Sequence, residues 1–422
     1  MPETNGMNVG NPNESRPALV ERVHGRLAAI GIITSHSLQH FYGQGFYVIL
    51  PMVYTALGLT PVAAGFIGTI RQVSSGFFSM VGGFILDKFQ HRRVLVLYFS
   101  LLLMGLGYLL VGASSIYPLI LVSIGLAGGA GSIWHPAALG LLSQRYPERR
   151  GFMLALHRSS GNIGDVLGPL LVGALLLILV WQKILFGAFP IAMVMALFLW
   201  TTLRRASDWQ KLTDQTTTQR MLGEQLGALK EVVKSRGLIL LLLVSGFSGL
   251  GQGSIMLWLP LYLQETQGMG SLGMGIHLGL LSSVGIVSVP VIGILSDKIG
   301  RNQVILMVLM AQAAIAILMA LTGSGLLLTI LVAFMGAFLF ALNPLVQAGA
   351  LDIAEGKKLE GSMIGLLWGS NAAFNGISPL LVGLLITSLG YGVLFWYIAT
   401  VKVAAGLLAL SLLLSVKSAP DS

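Results

Sequence analysis

Twelve stretches of predominantly apolar residues run through this chain, each close to the roughly 20 residues a helix needs to cross the hydrocarbon layer of a bilayer. They lie near 28–54, 62–86, 94–113, 117–142, 152–179 and 184–203, then near 238–263, 272–296, 303–322, 325–351, 361–388 and 391–416. Runs such as Leu170 to Val180 are continuously apolar and lack the alternation of a barrel strand, so helices are the solution they favour in lipid. Composition agrees. Of 422 residues, 55% are hydrophobic and 10% charged, against about 25% charged in ordinary soluble proteins. The mean hydropathy is +0.83. So few charges cannot cover a water-facing surface of this size, which excludes a soluble globular enzyme. The absence of cysteine excludes a disulfide scaffold and a Cys-based metal centre. The expected fold class is an all-α integral membrane protein with twelve transmembrane helices.

The segments fall into an N-terminal tail (1–26), a first group of six spans (27–203), a polar linker (204–237), a second group of six (238–416) and a short tail (417–422). The linker mixes Arg204, Arg205, Asp208, Lys211, Asp214, Arg220, Glu224, Lys230, Glu231, Lys234 and Arg236, and reads as a surface connection. The first 15 residues, rich in Asn, Pro and Glu, read as disordered, without the basic start and cleavage site of a removable signal. With a cytoplasmic N-terminus, 21 of the 25 Lys and Arg residues lie on the cytoplasmic side, and only Lys183 lies in an opposite-side connection. Arg71, Arg158 and Lys402 fall inside spans. This asymmetry predicts both termini inside a cell membrane, inner or plasma. It also accounts for the net charge of +9 without a nucleic-acid partner.

The two groups of spans repeat one another. Gly83-Phe-Ile-Leu-Asp87-Lys88 returns as Gly293-Ile-Leu-Ser-Asp297-Lys298, and Gly43-Gln44-Gly45 as Gly251-Gln252-Gly253. Pro169-Leu-Leu-Val-Gly173 returns as Pro379-Leu-Leu-Val-Gly383, and Pro136 in span 4 is answered by Pro344 in span 10. Duplication predicts two six-helix bundles about a pseudo-two-fold axis, with a binding site where they meet. On these residues the chain resembles the major facilitator superfamily along nearly its whole length. That family's loop signature stands here as Gly83, Asp87, Lys88, Arg92 and Arg93, with Gln90 in place of a usual glycine. The second copy, Asp297, Lys298, Gly300 and Arg301, keeps the glycine and lacks the final basic pair. Gly164, Gly168, Pro169 and Gly173 in span 5 are similar to a motif of proton-coupled drug exporters. The segment Ser132-Ile-Trp134-His135-Pro136 resembles the fosmidomycin-resistance group of exporters.

The resemblance implies a cytoplasmic gate in which Asp87 accepts backbone hydrogen bonds at the start of span 11, near Gly361-Ser362. The alternative is that these charges only enforce topology. The span 5 glycines read either as a seal on the outer side or as ordinary small-residue packing. Charges inside spans are costly, about 2.5–3.5 kcal/mol at the bilayer centre, and point to function. Asp165 is the one acid deep in a span, and Arg158 lies seven residues earlier on the same face. With Arg71 from span 2, Asp165 forms either a proton-exchanging switch or a structural ion pair, and the arginines are also candidates for direct anion binding.

The resemblance places spans 1, 4, 7 and 10 around a central cavity. His36, His40 and Gln44 form one stripe on span 1, with Trp134 and His135 on span 4. Gln252, Trp258, Asn343, Gln347 and Asn371 complete the cavity candidates. For each histidine, helix packing is the competing reading. A metal site on His36 and His40 would need a third ligand that the sequence does not identify. Gly268-Met-Gly270-Ser-Leu-Gly273 lies in a connection after a membrane helix, so it is not a nucleotide site. The expected function is therefore proton-coupled export by a monomeric secondary transporter working by alternating access, with no catalytic residues, no metal and no cofactor beyond the coupling proton. Its expected substrate is a small amphipathic or weakly anionic compound. Import of an organic anion and a non-transporting sensor are the alternatives.

Overall fold

A computed structural model describes the backbone of residues 16–88, 92–205, 234–353 and 360–417. Side chains are described for these residues except 16–22, 83–85, 87–88, 205, 360–362, 364 and 415–417. The first half folds as α1 (Arg16–Ala56), α2 (Pro61–Lys88), α3 (Arg93–Ala113), α4 (Tyr117–Arg145), α5 (Arg150–Leu175) and α6 (Trp181–Arg205). The second half folds as α7 (Arg236–Glu265), α8 (Ser271–Ile299), α9 (Arg301–Leu321), α10 (Leu326–Leu339), α11 (Leu342–Ile353), α12 (Glu360–Leu389) and α13 (Val393–Lys417). Among the described residues, nine segments are long and apolar enough to cross a membrane, with α10 and α11 together forming one of them. The other three long helices, α1, α2 and α5, hold His36, His40, Arg71, Arg158 and Asp165 among the residues expected at the functional site.

Span 10 is expected to be one helix and is instead two. Pro344 has no N–H to give the Phe340 carbonyl, and its ring crowds that carbonyl. The chain turns at Phe340 and Ala341. Side chains take up carbonyls just before the break: Gln312 Nε2 donates to Phe338 O at 2.9 Å, and Ser288 Oγ to Ala337 O at 2.6 Å. Pro136, its counterpart in span 4, sits within an unbroken helix.

Packing follows the duplication. In the first half α1 packs on α5 and α6, α2 on α4, and α3 on α6. In the second, α7 packs on α12 and α13, α8 on α10, and α9 on α13. The pairs α2·α12 and α5·α8 join the halves and exchange under the same pseudo-symmetry. Sequence reasoning sets span 2 beside span 5; in the structure α2 packs on α4 and α12, and α5 on α1 and α8.

The described close approaches between halves run from the turns at 57–60, 176–180, 266–270 and 390–392 to mid-height. A Cβ on Gly65 would lie 2.6 Å from Pro379 O, one on Gly383 would lie 2.7 Å from Pro61 O, and one on Gly173 would lie 2.7 Å from Ser271 O. Side-chain amides add polar links. Gln264 Nε2 donates to Thr55 Oγ1 at 3.0 Å, and Gln72 Nε2 to Asn375 Oδ1 at 2.7 Å. One apolar core, from Ile67 and Ile124 to Leu257 and Met274, crosses this seam. A separate core, built from Leu241, Ile305, Val346 and Ala409, lies within the second half, toward the α8–α9 end.

Candidate functional site

Close contact of α1 with α5 builds the centre of the site. Gly164 and Gly168 make that contact, because α1 backbone occupies the space their side chains would need. A Cβ on Gly164 would meet Ser37 O and stand 2.9 Å from Phe41 N, and one on Gly168 would stand 2.5 Å from Phe41 O. Gly161 continues the face, its Cβ position 2.6 Å from His36 Cε1. The span 5 motif thus serves two partners: Gly164 and Gly168 receive α1, while Gly173 and Pro169 meet α8 at Ser271 and Gly275 across the seam.

This approach brings Asp165 to α1. His40 Nδ1 donates to Asp165 Oδ1 at 2.6 Å, with the side chains 20% and 10% exposed. Gln44, one turn further along α1, also approaches the carboxylate. The expected grouping of Asp165 with Arg71 and Arg158 is therefore replaced. Asp165 is buried and partnered by His40, whereas Arg158 is exposed two turns away. Arg71 reaches the same face of α1, about one to two turns further along from His40. Its Nη1 donates to Tyr47 Oη at 2.5 Å and its Nη2 to Gly43 O at 3.2 Å. Its Cζ lies 4.8 Å from the Tyr47 ring centroid, a cation–π contact. A Cβ on Gly43 would stand 2.8 Å from Nη2, so that glycine leaves room for the guanidinium.

Three more histidines gather beside the pair. His36 is buried, and its Nδ1 donates to His157 O at 2.7 Å, with Ser160 Oγ at 3.3 Å. His135 Nδ1 donates to Gly131 O at 3.1 Å. Ring centroids are 4.5 Å apart for His36–His40, 5.1 Å for His36–His135 and 6.1 Å for His40–His135. His157 stacks on His36 at 3.7 Å, and the fully buried Trp134 lies parallel to His36 at 5.8 Å. Trp134 thus supports the cluster from within the helix packing. Sequence reasoning gave His157 little weight. Its eight-residue spacing from Asp165 on one helix was the available signal.

The second-half candidates divide. Gln252 and Asn343 are half-buried, and Asn343 Nδ2 lies 3.4 Å from Gln252 Oε1, linking α11 to α7; Gln347, one turn on, is half-buried too. Asn371 Nδ2 donates to Ser245 O at 3.0 Å. Trp258 is fully buried, its Nε1 donating to Pro379 O at 3.1 Å, so it fastens α7 to α12 rather than opening into a cavity. Lys402 on α13 is buried and donates to Ser248 O at 3.1 Å and Ser248 Oγ at 2.9 Å.

Of the expected gate residues, Gly83, Asp87 and Lys88 lie outside the described side chains, as do Gly361 and Ser362, the expected partner of Asp87. Arg92 is exposed, while Arg93 is buried and donates to Gln144 Oε1 at 2.9 Å. In the second copy Arg301 Nη1 lies 3.4 Å from Asp297 Oδ1, and its Nε 2.5 Å from Asp352 Oδ2. Lys298 is exposed. Gly300 has φ +100°, which explains why this copy keeps its glycine. Asp352, at the end of α11, was missed. An acid closing span 10 was the available signal.

Comparison with known proteins follows this geometry. The fosmidomycin resistance protein of Escherichia coli is 24% identical over 366 residues, covering 86% of each chain. A probable sulfoacetate transporter of Cupriavidus necator is 24% identical over 386 residues, covering 86% of this chain and 87% of that one. The nucleoside transporter NupG, in a point-mutant form, superposes with a TM-score of 0.77 at 12% identity, covering 91% of this chain and 99% of that one. A bacterial homologue of the lysosomal transporter Spinster, solved inward-facing and unoccupied, gives 0.74 at 13% identity, covering 94% and 96%. The family model for the Major Facilitator Superfamily matches residues 32–371, from α1 into α12, and this chain belongs to that superfamily.

Proposed function

We propose that this superfamily carrier, which moves solute by alternating access and is not an enzyme, couples proton entry to export of a small amphipathic or weakly anionic compound. The His40–Asp165 pair carries the reading. A carboxylate taken into a span is expensive unless partnered, and an imidazole is a partner able to hold or release a proton. Protonation of the Asp165 carboxylate would remove the charge that draws it to His40, giving the two conformations different proton affinities. Arg71 and exposed Arg158 would supply positive charge for an anionic head.

The Lys and Arg asymmetry supports an orientation with the joined ends outside and both termini in the cytoplasm of an inner or plasma membrane. In that orientation the seam closes the outer side, and Asp87 and Arg301 belong to the inner gate. The domain division at 204–237 follows from the same reading, and each chain is proposed to act as a monomer.

Import of an organic anion is the second reading, favoured by relatives named for sulfoacetate and hexose phosphate. The two are separated in proteoliposomes of known orientation by the direction of substrate movement under an imposed pH gradient. Export predicts substrate leaving the cytoplasmic face as protons enter there; co-accumulation with protons overturns it.

A further inference from the structure

His36, His40 and His135 converge with one ring nitrogen each, and these three nitrogens lie within 4.8 Å of one another. Sequence reasoning leaves His36 and His40 without a third ligand; α4 supplies it. The hydrogen bonds decide which nitrogens are available. A backbone carbonyl only accepts, so Nδ1 of His36, facing His157 O, and Nδ1 of His135, facing Gly131 O, must each carry the proton. Asp165 likewise accepts from His40 Nδ1. In all three neutral rings the lone pair is therefore left on Nε2. Metal-ligating histidines have this outer shell: the second nitrogen donates to a carbonyl or carboxylate, which fixes the tautomer and raises ligand basicity.

Spacing agrees. Metal–nitrogen bonds of about 2.0–2.1 Å place three imidazole centroids around one tetrahedral ion roughly 5 Å apart. The observed separations are 4.5, 5.1 and 6.1 Å. His40 and His135 are half-buried, leaving a way in, and His36 is buried as the anchor. Gly161 keeps the space beside His36 and His40 free of a side chain.

We infer that His36, His40 and His135 form a binding site for a borderline divalent transition ion, of the Zn²⁺, Co²⁺, Ni²⁺ and Cu²⁺ class, with Asp165 as its outer-shell carboxylate. Imidazole donors select this class over Mg²⁺ and Ca²⁺, which take oxygen. A bound ion ties α1 to α4 and occupies the ring that Asp165 holds. This inference goes beyond the proton-coupling reading and is tested without any flux measurement, so either can fail alone.

The test is Co²⁺ titration of the full-length protein in detergent, with any purification tag removed and prior chelator treatment, followed by visible absorption. One equivalent is expected to give the ligand-field bands of a four-coordinate centre, unaffected by excess Mg²⁺. His36→Gln and His135→Gln are each expected to lower affinity by at least about tenfold, and Asp165→Asn by about 10- to 100-fold. His277→Gln, whose ring nitrogens already face Gly273 O and Thr329 Oγ1, is expected to leave it unchanged. Gel filtration and thermal melting confirm that each variant is folded. Absence of the bands in the folded wild-type protein overturns the site, as does equal binding by folded His135→Gln.

Discussion

His40 Nδ1 stands 2.6 Å from Asp165 Oδ1, linking the first and fifth helices across the face that Gly164 and Gly168 keep clear. If the proton exchanges there, Asp165→Asn should lose pH-driven uphill flux by well over about tenfold, while counterflow exchange survives. The asparagine keeps the shape and removes the titration. Both are read in proteoliposomes with labelled substrate. Undiminished uphill transport in Asp165→Asn would take the residue out of the mechanism.

Arg71 is held by the Tyr47 phenol and the Gly43 carbonyl, with the Tyr108 phenol as a further partner. Tyr47→Phe removes a bond from a charged donor and should cost about 1.5–3 kcal/mol, seen as a lower melting temperature in detergent. Arg71→Lys should not restore stability in that background, since a single ammonium lacks the fork that meets Gly43 O and the ring face together.

The α1–α5 contact is steric. Gly164→Leu should cost more than about 3 kcal/mol or prevent folding, because backbone of α1 fills the space. Gly187→Ala on α6, whose added Cβ meets nothing within 4 Å, should leave the melting temperature unchanged or slightly raised. Equal effects would refute the contact as drawn.

The chain has no native cysteine, so single-cysteine reporters need no background correction. Ala64→Cys, fully buried at the joined end, should react with a membrane-impermeant thiol reagent at least about tenfold more slowly than Gln347→Cys, half-buried near the other end. Asp87→Asn, if it loosens the inner gate, should raise the Gln347→Cys rate further. Equal rates at the two positions would remove the one-sided closure.

The Arg301–Asp352 bridge joins side chains 33% and 56% exposed. Asp352→Asn should therefore change stability by less than about 1 kcal/mol, and less again at high salt. A larger loss in denaturant melts would mean the pair is drier than it stands here.

Span count, duplication and the loop motifs were legible because each is a pattern along one chain. So was the Gly164–Gly168 spacing, although its partner was not. The partners of Asp165 and Arg71 were misjudged for one physical reason. Residues seven apart share a helix face yet stand about 10 Å apart along the axis, so sharing a face with Arg158 made no contact. The nearer group came from another helix, and interhelical proximity leaves no mark in a single sequence. His157 was hidden in the same way, while His135, already a cavity candidate with His36 and His40, shows its partners only once α1, α4 and α5 are placed together. Pro344 marks where span 10 divides, yet Pro136 leaves α4 intact, so a proline alone does not decide a break.

The seam between the halves has a mechanical meaning. Among the described residues no salt bridge crosses it, and Gly65, Gly173, Gly275 and Gly383 let main chain lie against main chain. Dispersion between smooth surfaces fades within roughly an ångström or two, whereas a web of ion pairs would have to be dismantled one by one. A joint of this kind comes apart like two polished plates, with few polar links to break.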